Sequence, residues 1–253
     1  MARCPKCGKP VVRFQWYEVR RGSRVYRYLR AVHYENGKVR FCHIPKRALT
    51  SVIYGVNIGI AEAFKRVLMH YVLPPAKVLD VTCGYRIMYE KIFDINKKYN
   101  LYDFIFVDVR PEVRPDIVAD LRMLPITTVQ KFDAIVYDPP YPTHSVPRDN
   151  RDYEYGKVLS QRELHELFFE LTKAVNNLVV YLKHDGVLIA KVMDWVYKGK
   201  LYSAIEVCNS LLTNFELYDI IIYRFFKRSF IRAEPEKRVP RKHSYFLIYR
   251  PKK

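Results

Sequence analysis

The stretch that decides the fold is Phe132-Asp133-Ala134-Ile135-Val136-Tyr137-Asp138-Pro139-Pro140-Tyr141. Its first six residues are a short and largely apolar run, which is typical of a strand buried in a parallel sheet. Pro139 and Pro140 have no backbone N–H, so they end the strand abruptly and make the following turn stiff. The sequence therefore predicts that Asp138 and Tyr141 lie at the carboxyl end of a parallel strand, where open α/β sheets bind ligands.

Three upstream runs with the same character also end in aspartate. Their strands are expected over 77–81, 104–108 and 117–120, and their acids are Asp80, Asp108 and Asp120. A single acid at such a position is most often a helix cap, but four at consecutive strand ends describe a binding crevice along one sheet edge. The first strand leads through a Gly-containing turn into a helix over 86–93, which is the opening unit of a doubly wound sheet.

In this order the motifs resemble those of the S-adenosylmethionine-dependent amino-methyltransferases, in particular the adenine-N6 and cytosine-N4 DNA methylases. The similar segments are Asp80-Val81-Thr82-Cys83-Gly84, Asp108, Asp120 and the tetrapeptide Asp138-Pro139-Pro140-Tyr141. The resemblance extends from about residue 76 to residue 249. It implies a Rossmann-like doubly wound methyltransferase sheet with a C-terminal antiparallel hairpin. The chain departs from the family at Tyr85-Arg86, where many members keep a second glycine.

The resemblance also implies roles for individual residues. It assigns S-adenosylmethionine binding to Asp80, Thr82, Cys83, Gly84, Asp108, Asp120 and Leu121. It assigns catalysis to Asp138, Pro139, Pro140 and Tyr141. The exocyclic amine of a nucleobase is a poor nucleophile, and the Asp138 carboxylate and the Pro139 carbonyl are suited to accept its hydrogens. The Tyr141 ring is suited to stack on a base, which in a duplex must first be flipped out.

The N-terminal segment carries a Cys-x-x-Cys knuckle, Cys4-Pro5-Lys6-Cys7, which is half of a tetrahedral zinc site. Strands are expected over 25–34 and 38–44, joined at Asn36-Gly37, a strong hairpin turn. That register places Ala31 opposite Cys42 and makes Cys42 a diagonal neighbour of His33. The expected ligands are Cys4, Cys7, His33 and Cys42, with His43 as the substitute for a longer turn. Two reduced cysteines in a tail are the alternative.

Charge is distributed unevenly along the 253 residues. Residues 1–50 carry 13 Lys/Arg against 2 Asp/Glu, and residues 224–253 carry 11 against 2, whereas 51–223 carry 20 against 22. Two basic flanks around a neutral middle indicate a polyanionic partner, which we expect to be nucleic acid, DNA before RNA. The expected contacts lie in the loop after the tetrapeptide and in the basic C-terminal loop: Arg148, Arg151, Lys227, Arg228, Arg238 and Arg241.

Composition bounds the remaining possibilities. The hydrophobic fraction of 49% allows a full core, and no apolar run is long enough to suggest a membrane span. Five unevenly spaced cysteines argue against a disulfide framework. The start, Met1-Ala2-Arg3-Cys4, has no apolar signal region, so a cytoplasmic protein is expected.

The rest of the chain supplies the outline of the predicted architecture. Helices are expected over 50–70, 161–183 and 198–213, and strands over 187–192, 215–226 and 243–249. Ser160 and Glu163 have the spacing of a capping box. Together these patterns predict a basic zinc-ribbon-like β module over 1–48, followed by a Rossmann-like methyltransferase domain over 49–253.

Three functions are compatible with this reading. The first is transfer of a methyl group to a base of DNA, at adenine N6. The second is the same reaction on tRNA or ribosomal RNA, because RNA methylases share the tetrapeptide. The third is a nucleic-acid-binding protein with an inactive methylase domain, which an intact Asp138 and Tyr141 argue against.

Overall fold

The computed structural model describes residues 2–44, 51–54, 58–125, 131–142, 153–154, 157–224 and 243–252. The helices of these ranges are α1 (Ile60–Tyr71), α2 (Glu90–Tyr99), α3 (Gln161–Asn177) and α4 (Ala204–Leu211). The strands are β1 (Arg13–Arg21), β2 (Arg24–Glu35), β3 (Lys38–Ile44), β4 (Val52–Tyr54), β5 (Ala76–Asp80), β6 (Tyr102–Asp108), β7 (Ile117–Val118), β8 (Phe132–Tyr137), β9 (Tyr153–Glu154), β10 (Lys157–Val158), β11 (Leu182–Val192), β12 (Trp195–Tyr197), β13 (Lys200–Tyr202), β14 (Phe215–Arg224) and β15 (His243–Pro251). Short 3-10 turns lie at 87–89, 111–113, 121–123 and 178–181.

Eight strands form the central sheet, in the order β4-β14-β15-β11-β8-β5-β6-β7. β15 runs antiparallel to both of its neighbours, β11 and β14, while the other pairs are parallel. The strand order reverses between β5 and β8, as in a doubly wound sheet. The architecture confirms the predicted α/β class, the Rossmann-like methyltransferase sheet and its closing antiparallel pair.

Helices cover both faces of this sheet. On one face, Phe64, Val67 and Leu68 of α1 are fully buried in an apolar cluster that also contains Ile92 of α2. A second cluster on the other face gathers residues of α3 and α4 against β8 and β11. Because β8 is covered on both sides, it consists mainly of buried apolar residues, which is the pattern that predicted it.

The N-terminal module is a three-stranded antiparallel sheet in the order β1-β2-β3. β2 and β3 pair in the predicted register, with Ala31 opposite Cys42. β1 was missed, since no element is predicted for 13–21. The module packs on the larger domain rather than standing apart from it. The Arg3 backbone N–H donates to the Tyr99 carbonyl over 2.7 Å, and the inner residues of the module belong to the same apolar cluster as α1. The predicted boundary at residue 48 lies outside the described residues.

Two predicted helices begin too early. The expected helix over 50–70 is instead β4 followed by α1, which starts at Ile60. Val52 and Ile53 are β-branched and pair with the edge of β14. Pairing with that strand therefore decides their conformation. The expected helix over 198–213 begins at Ala204, because β12 and β13 form a hairpin before it. Lys198 and Gly199 have φ of +48° and +70°, the conformation of a type I′ turn.

Two further helix boundaries differ from the prediction. α3 carries the predicted capping box at Ser160 and Glu163 but ends at Asn177 rather than at 183, and β11 begins at Leu182, five residues before the predicted start. The helix predicted over 86–93 is a 3-10 turn followed by α2, which continues to Tyr99. Within the described ranges, no helix is long and apolar enough to cross a membrane.

Candidate active site

The carboxyl ends of β5, β6 and β8 meet at one edge of the sheet and enclose a small cavity. The backbone N–H of Asp138 donates to Thr82 Oγ1 over 2.7 Å, which joins the turn after β8 to the turn after β5. The cavity has a volume of about 60 Å³, and five predicted site residues line it: Thr82, Asp108, Leu121, Asp138 and Pro140. The structure therefore brings residues from four separate strand ends to one site.

The Asp138 carboxylate is held by a lysine that the sequence analysis does not assign to the site. Lys191 Nζ lies 2.9 Å and 3.1 Å from the two carboxylate oxygens and also donates to the Tyr141 hydroxyl. Lys191 comes from the carboxyl end of β11 and is only 9% exposed. A lysine is almost never buried without a partner. The signal in the sequence was its place inside the apolar run 187–192.

Tyr141 closes the same cluster. Its hydroxyl donates to Asp138 Oδ1 over 2.6 Å, and Lys191 Nζ lies 4.9 Å from the centre of its ring. Burial, followed by the neighbouring Asp138 charge, raises the pKa of Tyr141 well above its ordinary value. Tyr141 therefore stays protonated at neutral pH and acts as a hydrogen-bond donor. Asp138, Tyr141 and Lys191 form one connected group.

Asp108, the predicted ribose acid, is already engaged. It accepts hydrogen bonds from the Gly84 N–H at 2.8 Å and from the Arg110 N–H and Nε at 3.0 Å each. Gly84 has a φ of +49°, a left-handed conformation that favours glycine, and a Cβ there would lie 3.4 Å from Arg110 Nη2. Arg110 lines the cavity and was not predicted as a site residue.

Asp80 and Cys83 lie beneath the cavity rather than on its wall. Asp80 is fully buried and accepts hydrogen bonds from the Thr82 N–H at 2.8 Å and from the Tyr89 hydroxyl at 2.6 Å. Burial raises the pKa of Asp80 to about 7 in spite of these bonds. Cys83 is also buried, and burial raises the pKa of its thiol. Both residues shape the turn that carries Thr82 and Gly84.

Asp120 faces a different partner. Its carboxylate accepts hydrogen bonds from the Arg122 N–H at 2.9 Å and from Arg122 Nη2 at 2.6 Å, which caps the short 3-10 turn over 121–123. Arg122 also pairs with Glu170 on α3. Leu121 lines the cavity, but Asp120 is not among its lining residues. The role of Asp120 in cofactor binding stays a prediction.

The predicted metal ligands come together in the N-terminal module. One ligand atom from each of Cys4, Cys7, His33 and Cys42 lies within 4.8 Å of the others. His33 Nδ1 is 2.7 Å from the Pro10 carbonyl, and His33 Nε2 is 3.6 Å from Cys7 Sγ. The carbonyl fixes the proton on Nδ1 and leaves the Nε2 lone pair directed at the thiols, as for a metal-binding histidine. His43 instead contacts the Tyr17 hydroxyl at 3.2 Å. This set could hold a metal ion.

The predicted nucleic-acid contacts Arg148, Arg151, Lys227, Arg228, Arg238 and Arg241 lie outside the described residues. The described residues that flank these segments nevertheless lie at the same edge of the central sheet as the cavity. The described chain leaves at Pro142, one residue after Tyr141, and at Arg224, the carboxyl end of β14. It returns at His243, the amino end of the antiparallel β15. Since β14 runs parallel to β11 through their shared neighbour, these ends lie at the same sheet edge as Asp138.

Solved structures similar to the chain include S-adenosylmethionine-dependent methyltransferases. One, a TehB-like enzyme from Corynebacterium glutamicum, has 16% identity and a TM-score of 0.40 and matches 78% of this chain and 89% of its own. Another, from Methanosarcina mazei, has 11% identity and a TM-score of 0.45, with 73% and 96% of the chains covered. An rRNA methylase from Streptococcus thermophilus has 9% identity and a TM-score of 0.41, with 75% and 95% covered. No protein-family model and no curated protein matches the chain.

Proposed function

We propose that the protein is an S-adenosylmethionine-dependent methyltransferase that acts on the exocyclic amine of a nucleobase, at adenine N6 in DNA. The observation that carries this proposal is the placement of Asp138 on the wall of a cavity shared with Thr82 and Asp108, with its carboxylate fixed by Lys191 and Tyr141. An anchored carboxylate on a rigid Pro-Pro turn is what the activation of an amine requires.

The cavity is lined by the types of side chain that the cofactor would contact. Asp108 offers a carboxylate to a ribose diol, and Leu121 and Leu171 offer apolar walls to an adenine ring. The volume of about 60 Å³ is below the ~300 Å³ of the smaller ligand pockets. Arg110 lines the cavity and occupies the Asp108 oxygens. We infer that Arg110 releases Asp108 when the site fills.

Asp138 and the Pro139 carbonyl carry the chemistry on the protein side. They accept the two hydrogens of the amine, which raises the electron density on nitrogen and orients its lone pair. S-adenosylmethionine, when bound, would supply the methyl group from its sulfonium centre and, as that carbon–sulfur bond breaks, would leave as the neutral thioether. The amine loses one proton as the new N–C bond forms, and Asp138 is the acceptor beside it. Because Lys191 donates to both Asp138 oxygens, the carboxylate is a fixed hydrogen-bond acceptor rather than a strong base. Much of the rate gain then comes from orientation.

Two features support nucleic acid as the substrate. Segments 1–50 and 224–253 carry net charges of +11 and +9, against −2 for the rest of the chain. The described ends of the segments that hold the predicted arginine and lysine contacts lie at the same sheet edge as Asp138. The tetrapeptide resembles that of the adenine-N6 DNA methylases, and RNA methylases share it, so tRNA or ribosomal RNA is the alternative substrate for the same reaction.

Replacement of Asp138 tests the proposal. Asp138→Ala is expected to abolish methyl transfer from tritiated cofactor to DNA while cofactor binding persists, because the amine loses its acceptor whereas Thr82, Asp108 and Leu121 still line the cavity. Asp138→Asn keeps the side-chain volume and serves as the folding control. Asp138→Asn keeps an oxygen that accepts one hydrogen bond, so it should retain a slow residual turnover. Retained turnover in Asp138→Ala would contradict the assigned role.

The polymer and the base are identified by a second measurement. Purified protein is incubated with labelled cofactor and with DNA, tRNA or ribosomal RNA, and the modified nucleoside is identified by mass spectrometry. N6-methyladenine in DNA is the expected product. If only RNA is labelled, the substrate is RNA rather than DNA. If no polymer is labelled, the result favours an inactive methylase domain.

We further propose that Cys4, Cys7, His33 and Cys42 hold a structural zinc ion. Three thiolates and one imidazole are a closed tetrahedral donor set for zinc. The Pro10 carbonyl orients His33, and the Lys6 N–H lies 3.4 Å from Cys4 Sγ, where it donates to the sulfur. Zinc in this position ties the Cys-x-x-Cys knuckle to β2 and β3.

A further inference from the structure

One side of the N-terminal sheet carries an unusual set of side chains. Side chains alternate between the two faces of a strand, so the register fixes which residues share a face. The inner face packs on the larger domain through Phe14, Leu29 and Ile44. The opposite side, here called the outer face, consists of Arg13, Gln15, Tyr17, Val19 and Arg21 of β1, Arg24, Tyr26, Tyr28, Arg30, Val32 and Tyr34 of β2, and Val39, Phe41 and His43 of β3.

Aromatic rings run continuously across the outer face. The Tyr28 ring centre lies 6.5 Å from that of Tyr26, 5.6 Å from that of Tyr17 and 5.1 Å from that of His43. Tyr26 and Tyr28 are nearly parallel, with an interplanar angle of 24°. Several of the rings are open to solvent. Phe41 is 52% exposed, Tyr34 is 67% exposed and Tyr26 is 37% exposed.

The charge of the outer face has one sign. It contains four arginines and no Asp or Glu, while the two acids of the first fifty residues, Glu18 and Glu35, lie in the register of the inner face. The Arg30 guanidinium lies 4.0 Å from the centre of the Phe41 ring and 4.9 Å from that of Tyr17. Rings and cations therefore alternate over the surface.

We propose that the outer face binds an unpaired segment of the DNA substrate. Exposed aromatic rings stack on bases, and arginines beside them contact the phosphates, which is how proteins hold single strands without regard to sequence. In a duplex the faces of the bases are covered by their neighbours, so the rings favour an unpaired strand. If the outer face were only a solvated basic surface, it would not need contiguous aromatic rings. Exposed apolar patches of this kind mark interaction sites.

The outer face is remote from the catalytic turn. Tyr17 lines a cavity of about 720 Å³ together with Asp133 and Gly186, which lie toward the amino ends of β8 and β11. Asp138 follows Asp133 by five residues of extended chain, about 17 Å. The bound segment is therefore not the target base itself. Resting on the proposed function, the outer face anchors DNA that flanks the target.

Direct binding tests this proposal without any turnover. Fluorescence anisotropy of the full chain is measured with a labelled 12-nucleotide dT strand, the matching RNA strand and a DNA duplex. The single DNA strand is expected to bind more tightly than the duplex. Tyr28→Ala and Phe41→Ala are expected to weaken its binding about tenfold each, since alanine removes one stacking platform. Tyr28→Phe keeps the ring and is expected to retain affinity.

Two controls separate binding from folding. Tyr218→Ala removes a tyrosine that is also exposed and stacked on an arginine, but that lies on β14; its affinity for the strand should match the parent. Thermal unfolding of each variant reports on the fold, and Phe41→Ala, which removes an exposed ring, keeps the proposal testable if Tyr28→Ala unfolds. Unchanged affinity in folded Tyr28→Ala and Phe41→Ala variants would overturn the proposal, and so would binding of the RNA strand alone.

Kinetics then separate this proposal from the proposed function. If the protein methylates DNA, Tyr28→Ala should raise KM for long single-stranded substrates about tenfold and leave kcat unchanged, because the outer face touches no reacting group. An inactive protein that still loses strand affinity in Tyr28→Ala would contradict the proposed function and support the outer-face site. A Tyr28→Ala variant that lowers kcat and leaves strand affinity and KM unchanged would overturn it.

Discussion

Lys191 holds the Asp138 carboxylate although it lies outside the tetrapeptide motif. The tetrapeptide is predicted as a site from its order after three other strand ends, and in the structure Asp138 and Pro140 line the cavity. Lys191 could not be assigned in the same way, because its partner lies 53 residues earlier in the sequence. A lysine inside an apolar strand predicts that some partner exists, but only the alignment of β11 beside β8 identifies it.

Lys191→Met is expected to lower kcat/KM about tenfold to a hundredfold, because Asp138 loses charge-assisted hydrogen bonds on both oxygens. Met keeps the length of the side chain among apolar neighbours, and Lys191→Arg should retain part of the activity. Lys191 is a positioning residue, so its effect should vanish once Asp138 is neutral. The double variant with Asp138→Asn is expected to be no slower than Asp138→Asn alone. If the rate losses of the two single variants multiply in the double variant, Lys191 acts independently of Asp138.

Asp80 makes the stability of the fold depend on pH. Its folded pKa of about 7 lies above the ~3.9 of an unfolded chain, so between these values the folded protein holds a proton that the unfolded chain releases. The stabilisation from the protonated carboxyl is complete below about pH 4 and is lost as the pH rises through 7. Urea unfolding should show about 2–3 kcal/mol less stability at pH 8 than at pH 5, relative to Asp80→Asn. A parallel pH dependence in both proteins would contradict this assignment.

At the scale of elements, buried strands and the capping box were predictable, but several boundaries were not. β8 is continuously apolar, and Ser160 with Glu163 begins α3 through contacts within four residues, so both are encoded locally. β4 exists because β14 pairs with Val52 and Ile53, and no local pattern specifies that partner. β12 and β13 turn at Lys198-Gly199, so the helix predicted from residue 198 begins only at Ala204.

The N-terminal sheet allows a test of the metal site, because the register of β2 and β3 gives His33 and His43 different partners. His33 points at the thiols and His43 at Tyr17. Metal analysis of freshly purified protein should find about one zinc per chain, and none in Cys7→Ala or His33→Ala, whereas His43→Ala should retain it. Chelation should lower the unfolding temperature, since zinc binding to such small modules is coupled to folding. Absence of stoichiometric metal in the parent protein would refute the site.

At the scale of the whole molecule, the sequence predicts the two basic flanks but not how they are arranged. The described ends of the C-terminal flank lie at the sheet edge of Asp138, while Tyr17 of the N-terminal sheet lines a cavity with Asp133 toward the opposite edge. The packing of the module on the domain depends on contacts such as Arg3 with Tyr99, which are 96 positions apart. The N-terminal sheet and the described ends of the C-terminal flank thus lie toward opposite edges of the central sheet.

The charge of the two flanks predicts a steep dependence of DNA binding on salt, because Lys and Arg release counterions when they contact phosphates. If about six phosphates are contacted, affinity should fall about a thousandfold between 50 and 200 mM salt. Anisotropy titrations with a DNA long enough to reach both edges measure the slope. Arg24→Gln should make the slope of log affinity against log salt concentration shallower by about one unit. Cofactor binding, measured by calorimetry in the same buffers, should change little. A flat response in the DNA titration would mean that the basic flanks do not contact the substrate.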